Sequence, residues 1–374
     1  MAEVWCLALS FAVQQHNMAG MSHRCTSRLA TAYSRSVMPY QTLLVTCLLA
    51  LLAPSGAVSA ASAEEDWQLA WETYAAAQAA KGLQFGCQPR RYRPPPGKPR
   101  QGLVLAIHGF SACPQQFFQL GPLLAYQGFE VLVPVLPGHG LRPRPDGTEN
   151  LDQVPDADSW ASGYGGLAEN MNQIAALAGG ERILIGYSLG GTVAINAALR
   201  APDLYARLLL VAPLIEIRGG AGLQAAVDLL GRTPGIRDWG PKPPELAAAC
   251  AEWTAAGRTG FCDYRLAHIP ALIQLAAQNR DWLPRQPLTL PTQFILADAD
   301  AVISNAAAMA LATEQPRVIS PMQLCTLTGD VPHEIFTPYE NAGRKMTWLP
   351  RFLEIAANFV VSGELQACGP TTAG

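Results

Sequence analysis

Six short apolar runs, separated by helix-like segments, constrain this chain more than any other feature of it. They are Leu103–Ile107, Glu130–Val135, Arg182–Ile185, Leu208–Val211, Gln293–Ala297 and Gln323–Leu327. Each is Leu-rich or β-branched and bounded by Gly, Pro or Asp. Strands covered on both faces look like this, because no face needs a polar alternation. Helix candidates lie between and after them at 115–127, 158–178, 190–200, 301–313 and 342–362. The alternation predicts an α/β fold, a doubly wound and mostly parallel sheet. Right-handed crossovers then put helices on both faces and functional loops at the strands' C-terminal ends.

The rhythm breaks once. About eighty residues separate the run ending near Ala212 from the one starting near Gln293, far more than a crossover needs. Residues 214–286 are therefore expected to be an inserted helical cap, with 101–213 and 287–362 forming the core and 363–374 a C-terminal tail. Ahead of the core, Glu64–Lys81 reads as a helix stopped by Gly82. The Pro-rich and basic stretch 89–100 reads as an exposed extended connector, so 64–100 is an N-terminal helix plus linker.

Residues 1–63 have a different composition. Arg24, Arg28 and Arg35 precede the apolar stretch Leu43–Ala53, which is followed by Pro54, Gly56 and small residues to Ala63. This is the layout of a secretory signal peptide, with cleavage expected after Ala60, Ala61 or Ala63. The apolar stretch is short for a membrane span, and the competing reading is an uncleaved anchoring segment. Met18, Met21 and Met38 are alternative starts. The formal charge is −3, and −5 without residues 1–60, which hold three Arg and one Glu. No Lys/Arg run suggests a nucleic-acid face, and membrane contact is expected to be transient at most. Of nine Cys, Cys6, Cys25 and Cys47 lie in the leader. Six remain, an even number that suits disulfides in an exported chain. Cys250–Cys262 is the preferred pair because it closes a short loop. The absence of CxxC, HExxH or a His cluster gives no reason to expect a metal.

The sharpest motif is Gly186-Tyr187-Ser188-Leu189-Gly190, a GxSxG that follows one apolar run and precedes a helical segment. So tight a strand-to-helix reversal needs small residues around the serine, and it lifts the Ser188 hydroxyl to a helix N-terminus. His108-Gly109-Phe110 follows the first run, and Leu136-Pro137-Gly138-His139-Gly140 follows the second. A serine nucleophile needs a base. Of six His, His16 and His23 lie in the leader, His108 and His139 precede Ser188, and His268 lies in the insert. His333 remains, in a loop after the last run.

On these motifs, over about 101–362, the chain resembles the α/β-hydrolase family, and its PGHG loop resembles monoacylglycerol-lipase-like members. Leu136 stands where those members often carry Asp, which weakens the subgroup assignment. The resemblance implies the order Ser…acid…His, with Ser188 the nucleophile, Asp300 the acid and His333 the base. Asp298 is the alternative acid and Glu216 a remote third. It also implies that the oxyanion is held by the main-chain N–H groups of Phe110 and Leu189. The expected activity is hydrolysis of small, acyl- or lipid-like esters through an acyl-enzyme, without a cofactor. Thioesterase, peptidase and acyltransferase chemistry remain open on this fold, as does a non-catalytic binding module. Oligomeric state is not legible.

Overall fold

The computed structural model of the protein describes residues 60–240, 244–314 and 321–368. The expected leader lies outside these, apart from Ala60–Ala63, which begin the first helix, α1 (Ala60–Ala79). Every apolar run forms a strand: β2 (Gly102–Ile107), β3 (Phe129–Val133), β4 (Glu181–Tyr187), β5 (Arg207–Val211), β6 (Thr292–Ala297) and β7 (Met322–Leu327). With the short β1 (Arg90–Tyr92) they make a seven-stranded sheet ordered β1-β3-β2-β4-β5-β6-β7. All neighbours are parallel except β1, which pairs antiparallel with β3. Every residue of β2, β3 and β6 is buried, as two-sided cover by helices requires.

The Pro-rich stretch corrects an expectation. Arg90–Tyr92 within it is an edge strand, and Arg91 is mostly buried against Glu130 and near Glu72. Ahead of it, α1 turns Trp67, Trp71 and Tyr74 inward, and the Tyr74 hydroxyl donates to the Val135 carbonyl (3.0 Å). The guanidinium of Arg91 lies 4.7 Å from the Trp67 ring centroid, so basic residues of this stretch pack on the helix instead of facing only solvent.

The remaining helices are α2 (Leu120–Tyr126), α3 (Gly166–Leu177), α4 (Leu189–Arg200), α5 (Gly220–Arg232), α6 (Pro244–Ala255), α7 (Ile269–Trp282), α8 (Asn305–Glu314) and α9 (Leu349–Ser362). Strand order reverses between β2 and β4: the chain runs from β2 out to β3, then returns to the other side of β2 for β4. Crevices at such switch points are where open α/β sheets bind ligands. Here the reversal sets the loop after β2 against the turn after β4.

Residues 214–286, the segment between β5 and β6 expected to be an insert and called so below, are tied to α4 at both ends. Leu214 N–H donates to the Ser188 carbonyl (3.0 Å), and Thr192 Oγ1 donates to the Leu214 carbonyl (2.6 Å). At the other end α7 packs on α4, where Asn279 Nδ2 donates to the Thr192 carbonyl (2.8 Å) and Asn279 Oδ1 accepts from Asn196 Nδ2 (2.8 Å). Helix α5 is held far less. Gly231 is its one buried residue, and Leu223 and Leu229 are 49% and 66% exposed.

The six Cys expected in the mature chain form Cys87–Cys113, Cys250–Cys262 and Cys325–Cys368. No described helix is long and apolar enough to cross a membrane.

Candidate active site

Ser188 sits between β4 and α4 with φ 53°, a left-handed backbone that a serine adopts only where the surroundings enforce it. The flanking glycines are required by contact. A Cβ on Gly186 would lie 2.4 Å from the Gly190 carbonyl oxygen, and one on Gly190 would lie 2.0 Å from that of Ile107. Across the switch point, a Cβ on Gly109 would touch the Ser188 Cβ at 3.2 Å. The β2 loop and the Ser188 turn are thus in van der Waals contact because both carry glycine there.

Ser188 Oγ is 3.0 Å from His333 Nε2, and His333 Nδ1 is 2.7 Å from Asp300 Oδ2. The three residues come from the ends of β4, β7 and β6, so the sheet brings together side chains up to 145 positions apart. Asp300 also accepts the N–H groups of Val302 (2.8 Å) and Ile303 (3.0 Å) on Oδ1. Burial alone would raise its pKa; the His333 hydrogen bond and charge, with those two amides, hold it below the usual carboxylate value instead. Burial alone would lower the His333 pKa. The Asp300 bond and charge, helped by Glu334 and Glu340, raise it above 6.5.

The other candidates have different tasks. Asp298 accepts Gly329 N–H and Val331 N–H, each at 2.8 Å, and so pins the loop that carries His333. Glu216 offers its carbonyl to Ser304 N–H (2.8 Å) and is not a partner of His333. His108 accepts Leu136 N–H on Nε2 (3.0 Å), clipping the β2 loop to the β3 loop, and burial holds its pKa well below 6.5. His139 and His268 are each pushed down to about 4, chiefly by burial.

Phe110 follows Gly109, which packs against Ser188, and Leu189 follows Ser188 itself; neither main-chain N–H is used by a protein acceptor among the described residues. Beside them, Gly109 N–H donates to Gln116 Oε1 (2.8 Å), which fixes the turn. Three supporting residues were not legible in the sequence. Gln116 is one. Tyr187 is the second: its hydroxyl donates to the His333 carbonyl (2.9 Å) and its ring stacks on the imidazole at 5.4 Å. Arg258 is the third. From the loop closed by Cys250–Cys262 it binds Glu340 (2.6 Å), Ser111 Oγ (2.9 Å) and the Phe261 carbonyl (3.3 Å). It thereby joins the insert to the loops that carry Phe110 and His333.

Ser188 and His333 open into a cavity of about 330 Å³. Leu214, Ile217, Leu246, Trp253, Ile269 and Leu272 supply much of its apolar wall. Of the three tryptophans in 214–286, only Trp253 lines it. Trp239 is 61% exposed, and Trp282 lies under the Arg200 guanidinium instead. Leu229 also points away, 66% exposed. No metal-binding cluster of acidic, His or Cys side chains occurs among the described residues.

The chain is similar to known proteins over the part that forms this site. The family model "Serine aminopeptidase, S33" matches residues 98–336. A thermostable monoacylglycerol lipase of Bacillus sp. (strain H-257) is 27% identical over 206 residues, 54% of this chain and 71% of that protein. Among solved structures, a soluble variant of monoglyceride lipase from Saccharomyces cerevisiae superposes with a TM-score of 0.56 at 15% identity, over 75% of this chain and 92% of that one. A monoacylglycerol lipase of Paleococcus ferrophilus gives 0.54 at 18% identity, over 74% and 98%. At such identities the structural likeness speaks for the fold.

Proposed function

The chain belongs to the serine aminopeptidase S33 family of α/β-hydrolases, and from that premise we propose that Ser188, His333 and Asp300 cleave acyl esters through an acyl-enzyme. The protein is a serine ester hydrolase. The observation that carries the residue assignment is the hydrogen-bonded chain Ser188–His333–Asp300 opening into a largely apolar cavity.

The chemistry follows from the geometry. His333 Nδ1–H donates to Asp300, which leaves the Nε2 lone pair facing the Ser188 hydroxyl. As Ser188 Oγ bonds to the ester carbonyl carbon, its proton passes to Nε2 and the carbonyl electron pair moves onto oxygen. Phe110 N–H and Leu189 N–H receive that charge. Asp300 stays ionised and stabilises the imidazolium without taking a proton. Collapse breaks the bond to the alcohol, which leaves with the Nε2 proton. Water then repeats the sequence on the acyl-enzyme and frees the acid.

An acylglycerol-like substrate is supported by the apolar wall of the cavity and by the lipase named above. The family description covers peptidases as well, so amide and thioester substrates belong in the same assay. We place the mature enzyme outside the cytoplasm, with the leader removed near Ala60–Ala63; three disulfides support an oxidising compartment.

The test is labelling with a fluorophosphonate probe, followed by p-nitrophenyl esters of graded chain length with amide and thioester controls. Expected are a single adduct on Ser188 and faster cleavage of esters than of amides. Folded protein that takes no label would support a non-catalytic binding module.

A further inference from the structure

Glu334 follows the base directly and has no part in the reaction above. Its main-chain carbonyl accepts Asn341 Nδ2, which fixes the backbone. Its carboxylate lines the cavity with Ser188 and His333, and no described side chain gives it an ion pair or a hydrogen bond. Among the described residues of that wall, the one Lys or Arg is already committed: Arg258 is bound to Glu340, Ser111 and the Phe261 carbonyl. Apart from its own main-chain N–H, no donor among the described residues serves that carboxylate, so Glu334 faces the cavity with acceptor capacity to spare. Burial pushes its carboxyl up, against the pull of His333.

The reaction fixes which part of a substrate lies there. His333 Nε2 must return its proton to the departing alcohol oxygen, so that oxygen lies against the imidazole. The acyl carbonyl oxygen instead turns to Phe110 and Leu189 N–H. The substituents of the alcohol are then next to the residue that follows His333. We propose that Glu334 forms a leaving-group subsite that selects esters whose alcohol carries a hydrogen-bond donor, a second hydroxyl or an ammonium group, close to the ester oxygen. This rests on the ester-hydrolase reading with His333 as the base. A plain alkyl alcohol displaces water from Glu334 and gives nothing back. A site built around a buried polar group rejects such a ligand more strongly than an apolar site rejects an added hydroxyl.

Two pairs of decanoate esters of matched shape test the proposal, with kcat/KM measured for the full-length enzyme, E334Q and E334L. The first pair is 2,3-dihydroxypropyl against 2-methylbutyl. The second is 2-(dimethylamino)ethyl, protonated at neutral pH, against 3-methylbutyl. A ratio within one enzyme cancels any effect of Glu334 on the basicity of His333. The wild type should favour at least one donor-bearing ester by about tenfold or more. A preference in the first pair identifies a polyol leaving group, and one in the second an ammonium. Glu334→Leu should bring the ratio to within about threefold of unity. Glu334→Gln, nearly isosteric and thus a safeguard should the Leu variant not fold, should lose the ammonium preference and keep part of the hydroxyl preference.

Wild-type ratios near one, or wild-type ratios retained in both variants, overturn the subsite and leave the ester hydrolase standing. If the wild type cleaves none of the four esters and takes no fluorophosphonate label, the functional reading fails and the subsite with it.

Discussion

At the rim of the sheet, Ser188, Asp300 and His333 each stand within a few residues of a strand end. In the insert above, Arg258 reaches the same cavity from a disulfide-closed loop, and α5 buries only Gly231. One region has its geometry set by the sheet: β4 and β6 are hydrogen-bonded on both sides, and β7, at the edge, is paired along its length with β6. The other is held by side chains: Arg258 to Glu340 and Ser111, Asn279 to α4. Rigid strands can place reacting atoms to a fraction of an ångström. A side-chain-docked insert can shape a pocket, and it tolerates change with smaller losses. Substitutions at the rim should therefore remove chemistry, whereas substitutions in the insert should scale it.

The largest effects belong to the rim. Ser188→Ala and His333→Ala should each leave the fold intact, by circular dichroism and melting temperature, and lower kcat by about 10⁴-fold or more. The double variant should be little worse than either single one, because the two act as a unit. A Ser188→Ala enzyme with wild-type turnover would refute the assignment.

Next come the two carboxylates after β6. Asp300→Asn should cost about 10²–10⁴ in kcat, through loss of the imidazole's tautomer and orientation. Asp298→Asn should act mainly on stability, because its two amide bonds hold the His333 loop. The pH profile separates them further. The proposed base His333 can accept a proton only when neutral, and its raised pKa keeps it protonated to higher pH. The acid limb of kcat/KM should therefore have its midpoint above 6.5 in the wild type. Removing the Asp300 charge should move that limb to lower pH, and Asp298→Asn should move it much less. The reverse pattern would show Asp298 to be the acid.

The rim was also the legible part. Each strand lies within two residues of its apolar run, since a run buried on both faces has no other way to hide its surface. The GxSxG turn reads directly from its glycines, each of which has a backbone atom where a Cβ would go. Helix starts were read less well. Val302 and Ile303 give their amides to Asp300, so α8 begins only at Asn305 and not at 301. The run 115–127 divides into a 3-10 turn over Pro114–Phe117 and the separate α2. Arg258 was not legible at all. Its partners Ser111 and Glu340 are 147 and 82 positions away, and no local pattern marks a buried ion pair made by folding. The same holds for Trp239 and Trp282, large apolar residues that the insert turns away from the cavity.

Arg258 tests the lower tier of effects. Its side chain and that of Glu340 are each 6% exposed, so removing one leaves the other charge buried alone. Arg258→Met should destabilise the protein by about 3 kcal/mol or more, and adding Glu340→Leu should recover much of that. If Arg258 also positions the oxyanion turn through Ser111, kcat per titrated active site should stay about tenfold down in both variants. Full recovery of kcat with stability would make Arg258 a purely structural tie. Reduction of Cys250–Cys262, which closes the loop around Arg258, should move kcat in the same direction.

The smallest effect should come from the apolar wall itself. Leu246 from α6 and Leu272 from α7 line the cavity, and neither has a part in the proposed reaction. If they hold the acyl chain, their contribution grows with each methylene they cover, at about 0.8 kcal/mol for full burial, or about fourfold in kcat/KM. Leu246→Ala and Leu272→Ala should then lower kcat/KM several-fold for decanoate esters and hardly at all for acetate esters, because an acetyl group has no chain methylenes for them to cover. Leu272 is 5% exposed and also packs in the core, so its variant will lose stability as well. Leu246, only half-buried, is the cleaner probe. Equal losses on acetate and decanoate at Leu246 would mean that the insert only braces the rim and that the acyl chain lies elsewhere. A loss confined to long chains would assign chain-length selection to the insert and chemistry to the strand ends.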